Sequence, residues 1–232
     1  MKKTTIPLPS LRRLLLYYRH LLAAIDAGQE YQSSAELAWT ADTTPEQVRK
    51  DLSYLPSQGR SRVGYPTQKL AQIIEETLNL TSDKDVLLAG AGNLGRALAL
   101  YPGFKQYGLN IVVLFDNDPA RVGTRVGRLQ VLPVEKLSNL AARMLIRIGI
   151  IATPPENAQD VADAMVAGGI KAIWNFTSAR LTVPEDVLVN TIDLSPELLV
   201  LSQYVHNLGK HPGHSEAIPE HPTLEREGQD PA

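Results

Sequence analysis

The segment Gly90-Ala91-Gly92-Asn93-Leu94-Gly95 restricts the fold more tightly than any other stretch of this chain. It satisfies G-x-G-x-x-G and stands directly after the apolar run Val86-Leu87-Leu88-Ala89, where a strand would end and a helix begin. Each glycine answers a separate demand: Gly90 permits the tight turn, Gly92 lets a pyrophosphate approach the backbone, and Gly95 lets the helix lie close against the strand. The helix start then offers free N–H groups and its positive dipole end to phosphates. A chain with this arrangement is expected to build a parallel α/β sheet around it.

The sequence that follows agrees. Apolar strands are predicted at Ile111 to Phe115, Arg147 to Ala152 and Ala172 to Asn175, with an edge strand at Leu188 to Asp193. A helix over Asn157 to Val166, started by Pro154-Pro155, separates the third strand from the fourth. Strands alternating with helices predict a Rossmann-like, doubly wound parallel sheet. Asp116 ends the second strand, where an acid would bind the ribose hydroxyls of a dinucleotide. Its carboxylate repels the extra phosphate of NADP, which favours NADH and NAD+, although the nearby Arg121 and Arg125 leave NADP open. The cofactor-binding candidates are Gly90, Ala91, Gly92, Asn93, Leu94, Gly95 and Asp116, with Thr153 and Pro154 after the third strand.

Composition limits what the cofactor can be for. The chain has no cysteine, which removes disulfides, thiolate metal sites and thiol switching, so redox sensitivity must come through a bound group. A hydride-transfer enzyme needs a proton-exchanging group, and none of the five histidines lies between Leu21 and Val205. Tyr101 and Lys105 give a Y-x-x-x-K spacing, but Pro102 and Gly103 break the helical face that spacing requires. The expectation is a bound signal with no catalytic residue and no metal site; His211, His214 and His221 read as part of a solvated, disordered tail over 209–232. No apolar run reaches the ~20 residues of a membrane span, and no secretory signal is evident, so a cytoplasmic location is expected.

Charge divides the chain. Met1 to Leu70 carries 10 Lys and Arg against 6 Asp and Glu, a balance of +4, while the remainder carries 13 against 19, or −6. Within the basic part an amphipathic helix is predicted over Ser10 to Ala27, with Leu11, Leu14, Leu15, Tyr18, Leu22 and Ile25 as its apolar stripe. Two short helices follow, opened by the capping boxes Ser33-x-x-Glu36 and Thr44-x-x-Gln47 and joined by the turn Ala41-Asp42-Thr43. They make a helix-turn-helix. Ser57 to Tyr65 suits a hairpin wing with arginines at its tip, Thr67 to Leu78 a fourth helix, and Asn79 to Asp83 a linker. On the third helix Val48, Leu52 and Leu55 face the core, so Gln47, Arg49, Lys50, Ser53 and Tyr54, with Arg60 and Arg62 in the wing, are the DNA-binding candidates. Three readings stand: an NADH-responsive repressor, a small NAD-dependent oxidoreductase whose basic head serves dimerisation, and a non-sensing architectural protein that keeps NAD for stability.

Several stretches favour the first. Gln47-Val48-Arg49-Lys50-Asp51-Leu52-Ser53-Tyr54, Val63-Gly64-Tyr65, Gly90 to Leu98, Tyr101-Pro102-Gly103-Phe104, and Trp174-Asn175-Phe176 with Val183-Pro184 resemble the Rex family of redox-sensing transcriptional repressors, over Ile6 to about Tyr204. The resemblance implies a winged-helix DNA-binding domain over 1–80, a Rossmann NAD(H)-binding domain over 81–194 and a dimerisation helix over 195–208 that swaps onto the partner subunit. It implies a homodimer on an inverted-repeat operator of double-stranded DNA, released by NADH. Arg49 and Lys50 would enter the major groove, Arg60 would serve the wing, and Arg19, Tyr101 and Asp193 would relay cofactor state between subunits and head. The chain departs from the family pattern at Leu55-Pro56, Arg62, Thr177-Ser178 and Leu194, which bears on operator preference, on tuning near the nicotinamide and on a stacking contact between subunits.

Overall fold

The computed structural model describes residues 6–56, 59 and 63–210. Four helices form the N-terminal part: α1 (Leu8–Asp26), α2 (Ser34–Thr40), α3 (Pro45–Leu52) and α4 (Thr67–Leu78). The Ser33 capping box is present in full, with both reciprocal bonds, and the Thr44 hydroxyl accepts from the Gln47 N–H. Asp42 takes a left-handed conformation in the turn between α2 and α3. Most of the expected wing hairpin over Ser57 to Tyr65 lies outside the described residues, and its last residue belongs to β2 (Tyr65–Pro66), which pairs antiparallel with β1 (Tyr31–Gln32), ahead of α2. Gly64 makes this possible, since a Cβ there would lie 2.4 Å from the Gln32 carbonyl oxygen. Arg60 and Arg62 lie outside the described residues, as does the tail from His211.

Two features of the helices depart from the sequence reading. The buried stripe of α1 is Leu14, Tyr17, Tyr18, Leu21 and Ala24, whereas Leu15 and Leu22 are exposed. Leucines occupy so many faces of this helix that periodicity cannot choose among them, and contacts with α2, α3 and α4 make the choice. Helix α3 ends at Leu52, so Ser53 and Tyr54 fall in the turns beyond it. Pro56 is the reason, because its ring would collide with the Leu52 carbonyl if the helix continued.

The C-terminal part is a seven-stranded sheet: β3 (Lys84–Ala89), β4 (Leu109–Asp116), β5 (Arg125–Val126), β6 (Leu129–Pro133), β7 (Ile148–Ile151), β8 (Ala172–Asn175) and β9 (Leu188–Thr191). Its order is β5-β6-β4-β3-β7-β8-β9, with every pairing parallel except β5 with β6. Alternate residues of β3 divide between two cores. Leu87 and Ala89 join α6 (Leu137–Arg143) and α7 (Ala158–Ala167), while Val86 and Leu88 face the side of α5 (Asn93–Leu100). Strand order reverses between β3 and β7, which opens a crevice at their carboxyl ends. A last helix, α8 (Leu194–Lys210), follows β9. Leu80 and Tyr107 pack against the core of α1–α4, and Arg12 donates to Asn190 on β9 at 3.2 Å, so the two parts of the chain touch.

Candidate functional site

At the crevice lies a cavity of about 800 Å3, bordered by the ends of β3, β4 and β7 and by the start of α5. Gly90 sits at φ +106, and a Cβ there would come 2.3 Å from the Ala152 carbonyl oxygen. Gly95 is tighter still, with its side-chain position 1.7 Å from the Gly90 oxygen, so the first turn of α5 presses directly on the end of β3. Gly92 caps α5 without a side-chain hydrogen bond, and only Arg121 Nη1, at 3.8 Å, approaches its open side. A helix start left bare in this way presents N–H groups to a phosphate.

Asp116 is 6% exposed and highly engaged. Its Oδ2 accepts from the Ala91 N–H at 2.6 Å and lies 3.3 Å from Arg121 Nη1, while Oδ1 accepts from the Asp118 N–H at 2.8 Å. Burial by itself would raise its pKa, but the Asp118 and Ala91 N–H groups and the Arg121 guanidinium outweigh it and hold the carboxyl below its usual range. It is therefore an anion at neutral pH, able to accept from ribose hydroxyls. Gly90, Gly92, Asn93, Leu94, Asp116, Thr153 and Pro154 all border the cavity. Ala91 and Gly95 stand behind that wall, Ala91 spending its N–H on Asp116. The buried Thr153 hydroxyl has no hydrogen-bond partner among the described residues, a vacancy in its bonding that a bound polar group would fill. The site thus fits a dinucleotide: bare N–H groups for pyrophosphate, a carboxylate for ribose, and an apolar far wall that includes Phe176. Asn117, Asp118, Arg121, Glu135, Asn157 and Phe176 also line it and were not among the candidates; Arg121 and Asp118 were within reach of sequence reasoning, standing just beyond the strand-end acid.

The head presents a second surface. Arg49 is about half exposed and pairs with Glu46 at 2.7 Å and with the Ser34 hydroxyl at 3.1 Å. An exposed pair of this kind is screened by water and holds weakly, so a phosphate or guanine edge can draw the guanidinium away. Lys50 and Ser53 are exposed and Tyr54 is half-buried. Gln47 does not point freely outward, because its Nε2 donates to the buried Asp51 at 2.9 Å. Asp51 also takes two bonds from Arg13 and one from the Tyr17 hydroxyl. Of the expected relay residues, Arg19 is exposed, Tyr101 is exposed with its ring edge-on to Phe104, and Asp193 accepts from the Ser195 N–H. Among the described residues no ion pair or hydrogen bond joins these three within one chain.

Among the described residues no helix is long and apolar enough to cross a membrane, and no cluster of three metal-ligating side chains occurs. Residues 81–179 match a family profile described as "CoA binding domain", and residues 5–53 one described as "Putative DNA-binding protein N-terminus". The chain is 41% identical over 202 residues to the redox-sensing transcriptional repressor Rex of Desulforamulus reducens, covering 87% of this chain and 96% of that one. It is 37% identical over 198 residues to the Rex of Bacteroides fragilis, covering 85% and 90%. Among solved structures it resembles RSP, a Rex-family repressor, in complex with β-NAD+ and operator DNA, with a TM-score of 0.82, 34% identity and coverage of 92% and 100%. The complex of RSP with β-NADH gives a TM-score of 0.77 at 33% identity, covering 90% and 98%. At 41% identity over 87% of its length to such relatives, the chain belongs to the Rex family of redox-sensing transcriptional repressors.

Proposed function

We propose that this chain represses transcription as a homodimer on an inverted-repeat operator, and that NADH, binding at Asp116 and the glycine-rich turn, releases it. The observation that carries the reading is the Asp116 carboxylate, ionised at the lip of a cavity whose opposite side is a bare helix start. That pairing suits the ribose diol of NAD(H). Coenzyme A, the ligand in the description of the matched profile, carries a 3′-phosphate on the same ribose and so lacks the free diol from which this carboxylate would accept. RSP, at about one third identity over nine tenths of this chain, has been captured with NAD+ and operator DNA and with NADH, which supports assigning the same ligands here.

The cavity lining and the exposed face of α3 support the roles proposed for the residues described there. Gly90, Gly92, Asn93 and Leu94 would hold the pyrophosphate, Asp116 the ribose, and Thr153 and Pro154 the part of the ligand lying over β7. Arg49, Lys50, Ser53 and Tyr54 would meet DNA, with Gln47 positioned by Asp51 instead of reaching bases freely. Arg60 and Arg62 would serve the wing. Helix α8 would swap onto the partner, so that Arg19, Tyr101 and Asp193 meet only across subunits. An ion pair available in one dimer arrangement and lost in the other biases the equilibrium between them, which is how ligand state reaches the heads. The nicotinamide supplies a signal and undergoes no reaction here. A cytoplasmic location follows from access to DNA and to the nucleotide pool.

The test is a titration of NADH and NAD+ into the protein bound to an inverted-repeat duplex. NADH should dissociate the complex at concentrations where NAD+ leaves it bound. Equal responses to the two nucleotides would overturn the reading.

A further inference from the structure

We infer that Arg121 sets how sharply this site separates NADH from NADPH, an assignment that rests on the proposed dinucleotide reading and extends it. The argument is an account of lone pairs. Oδ2 of Asp116 already accepts from the Ala91 N–H at 2.6 Å, and Oδ1 from the Asp118 N–H at 2.8 Å. Each oxygen has capacity for one more donor, and the ribose of a dinucleotide brings hydroxyl donors to this acid. Arg121 Nη1 stands 3.3 Å from Oδ2 and so competes for an acceptor position that a ribose hydroxyl would otherwise use. The guanidinium is anchored from its other side by Asp118, with Nε 3.3 Å from Oδ2 of that residue, and its Nη1 also borders Gly92.

Two opposing consequences follow for the two ligands. For NADH, a ribose hydroxyl takes over a position that a cation already satisfies, so the gain from the carboxylate is partly offset. For NADPH, the 2′-phosphate meets a guanidinium beside the carboxylate, and its repulsion by Asp116 is countered by charge-assisted bonds from Arg121. The same side chain therefore weakens discrimination from both directions. At 47% side-chain exposure it is free to turn toward a phosphate at little cost, because its pair with Asp118 is solvent-facing.

The experiment measures the Kd of NADH and of NADPH for the wild-type protein, Arg121→Gln and Asp116→Ala by calorimetry, with thermal unfolding as the folding control. In Arg121→Gln, NADPH should weaken about tenfold or more, the loss expected for one charge-assisted contact, while NADH changes less than about threefold in either direction. The NADPH affinity of the wild type should also fall more steeply with salt than that of the variant. If both nucleotides weaken by one factor, or the ratio between them stays put or narrows, Arg121 is not the discriminating residue. A wild type that binds neither nucleotide, or an Asp116→Ala variant that binds NADH undiminished, would instead remove the dinucleotide site itself.

Discussion

The carboxylate of Asp51 has no exposed surface, yet it lies in a basic head and within α3, the helix proposed to meet DNA. Arg13 reaches it through Nε at 2.6 Å and Nη2 at 2.7 Å, and Tyr17 donates at 2.9 Å. Removing one partner of such a pair leaves the other charge stranded. Asp51→Ala should therefore destabilise the head by about 3–5 kcal/mol, read by urea unfolding, with Asp51→Asn milder. The pH dependence has a definite sign. Burial would raise the Asp51 pKa, but bonds from Arg13, Ser10, Gln47 and Tyr17 reverse this and leave it lowered in the folded state. A lowered folded value means that the stabilisation is complete above the unfolded pKa of about 3.9 and is lost as pH falls below it toward the folded value. Asp51→Asn should flatten that acid limb; a variant with the wild-type slope would exonerate Asp51. Arg49 gives a contrasting expectation, since its bonds to Glu46 and Ser34 are exposed. Arg49→Ala should abolish operator binding, leaving NADH affinity and unfolding midpoint unchanged, and joint loss of DNA and NADH binding would show the two sites to be misassigned. The Arg49 face was legible because a helical wheel sorts apolar from polar positions. The burial of Asp51 was not, because its partner Arg13 lies 38 residues earlier and periodicity is blind to such distances.

Elements whose sequence carries backbone demands were the easiest to anticipate. The junction of β3 and α5 is one, since Gly90 needs a positive φ and Gly95 leaves no room for a Cβ. Gly95→Ala would drive a methyl to 1.7 Å from a backbone oxygen, so α5 must retreat from β3 and its bare N–H groups move with it. The expected result is loss of NADH binding and a lower unfolding temperature for the sheet, while the α1–α4 core, which shares no residue with this junction, keeps its helical signal. Full NADH affinity in Gly95→Ala would refute this placement of the pyrophosphate. By contrast β5, β6 and α6 went unforeseen. Two strands of 2 and 5 residues and a helix of 7 without a side-chain cap offer too few positions for alternation or helical period to register. The pairing of β1 with β2 escaped for another reason: its partners are separated by α2 and α3, and only folding brings Gln32 to Tyr65.

At the scale of the molecule, strand order could be anticipated as doubly wound because right-handed crossovers leave few alternatives, but a single chain does not explain α8. Leu198, Leu199, Val200, Leu201 and Val205 of this helix are each 61–70% exposed, and none belongs to the three cores. Apolar surface gathered on one element marks an interface, and a second copy is the occupant that the proposed swap requires. Replacing Leu198 and Leu201 together with glutamate tests this with little risk to the chain's own fold, since both already face solvent in the isolated subunit. Charge placed in a shared apolar seam should convert the dimer to monomer in sedimentation. Operator affinity should then fall by about 100-fold or more, because two heads joined in one dimer bind the second half-site as an intramolecular event and separate heads do not. Binding to a single half-site, which needs only one head, should change little. A double variant that stays dimeric would show that α8 is not the seam, and one that is monomeric yet grips the full operator as before would show that the two heads do not act together.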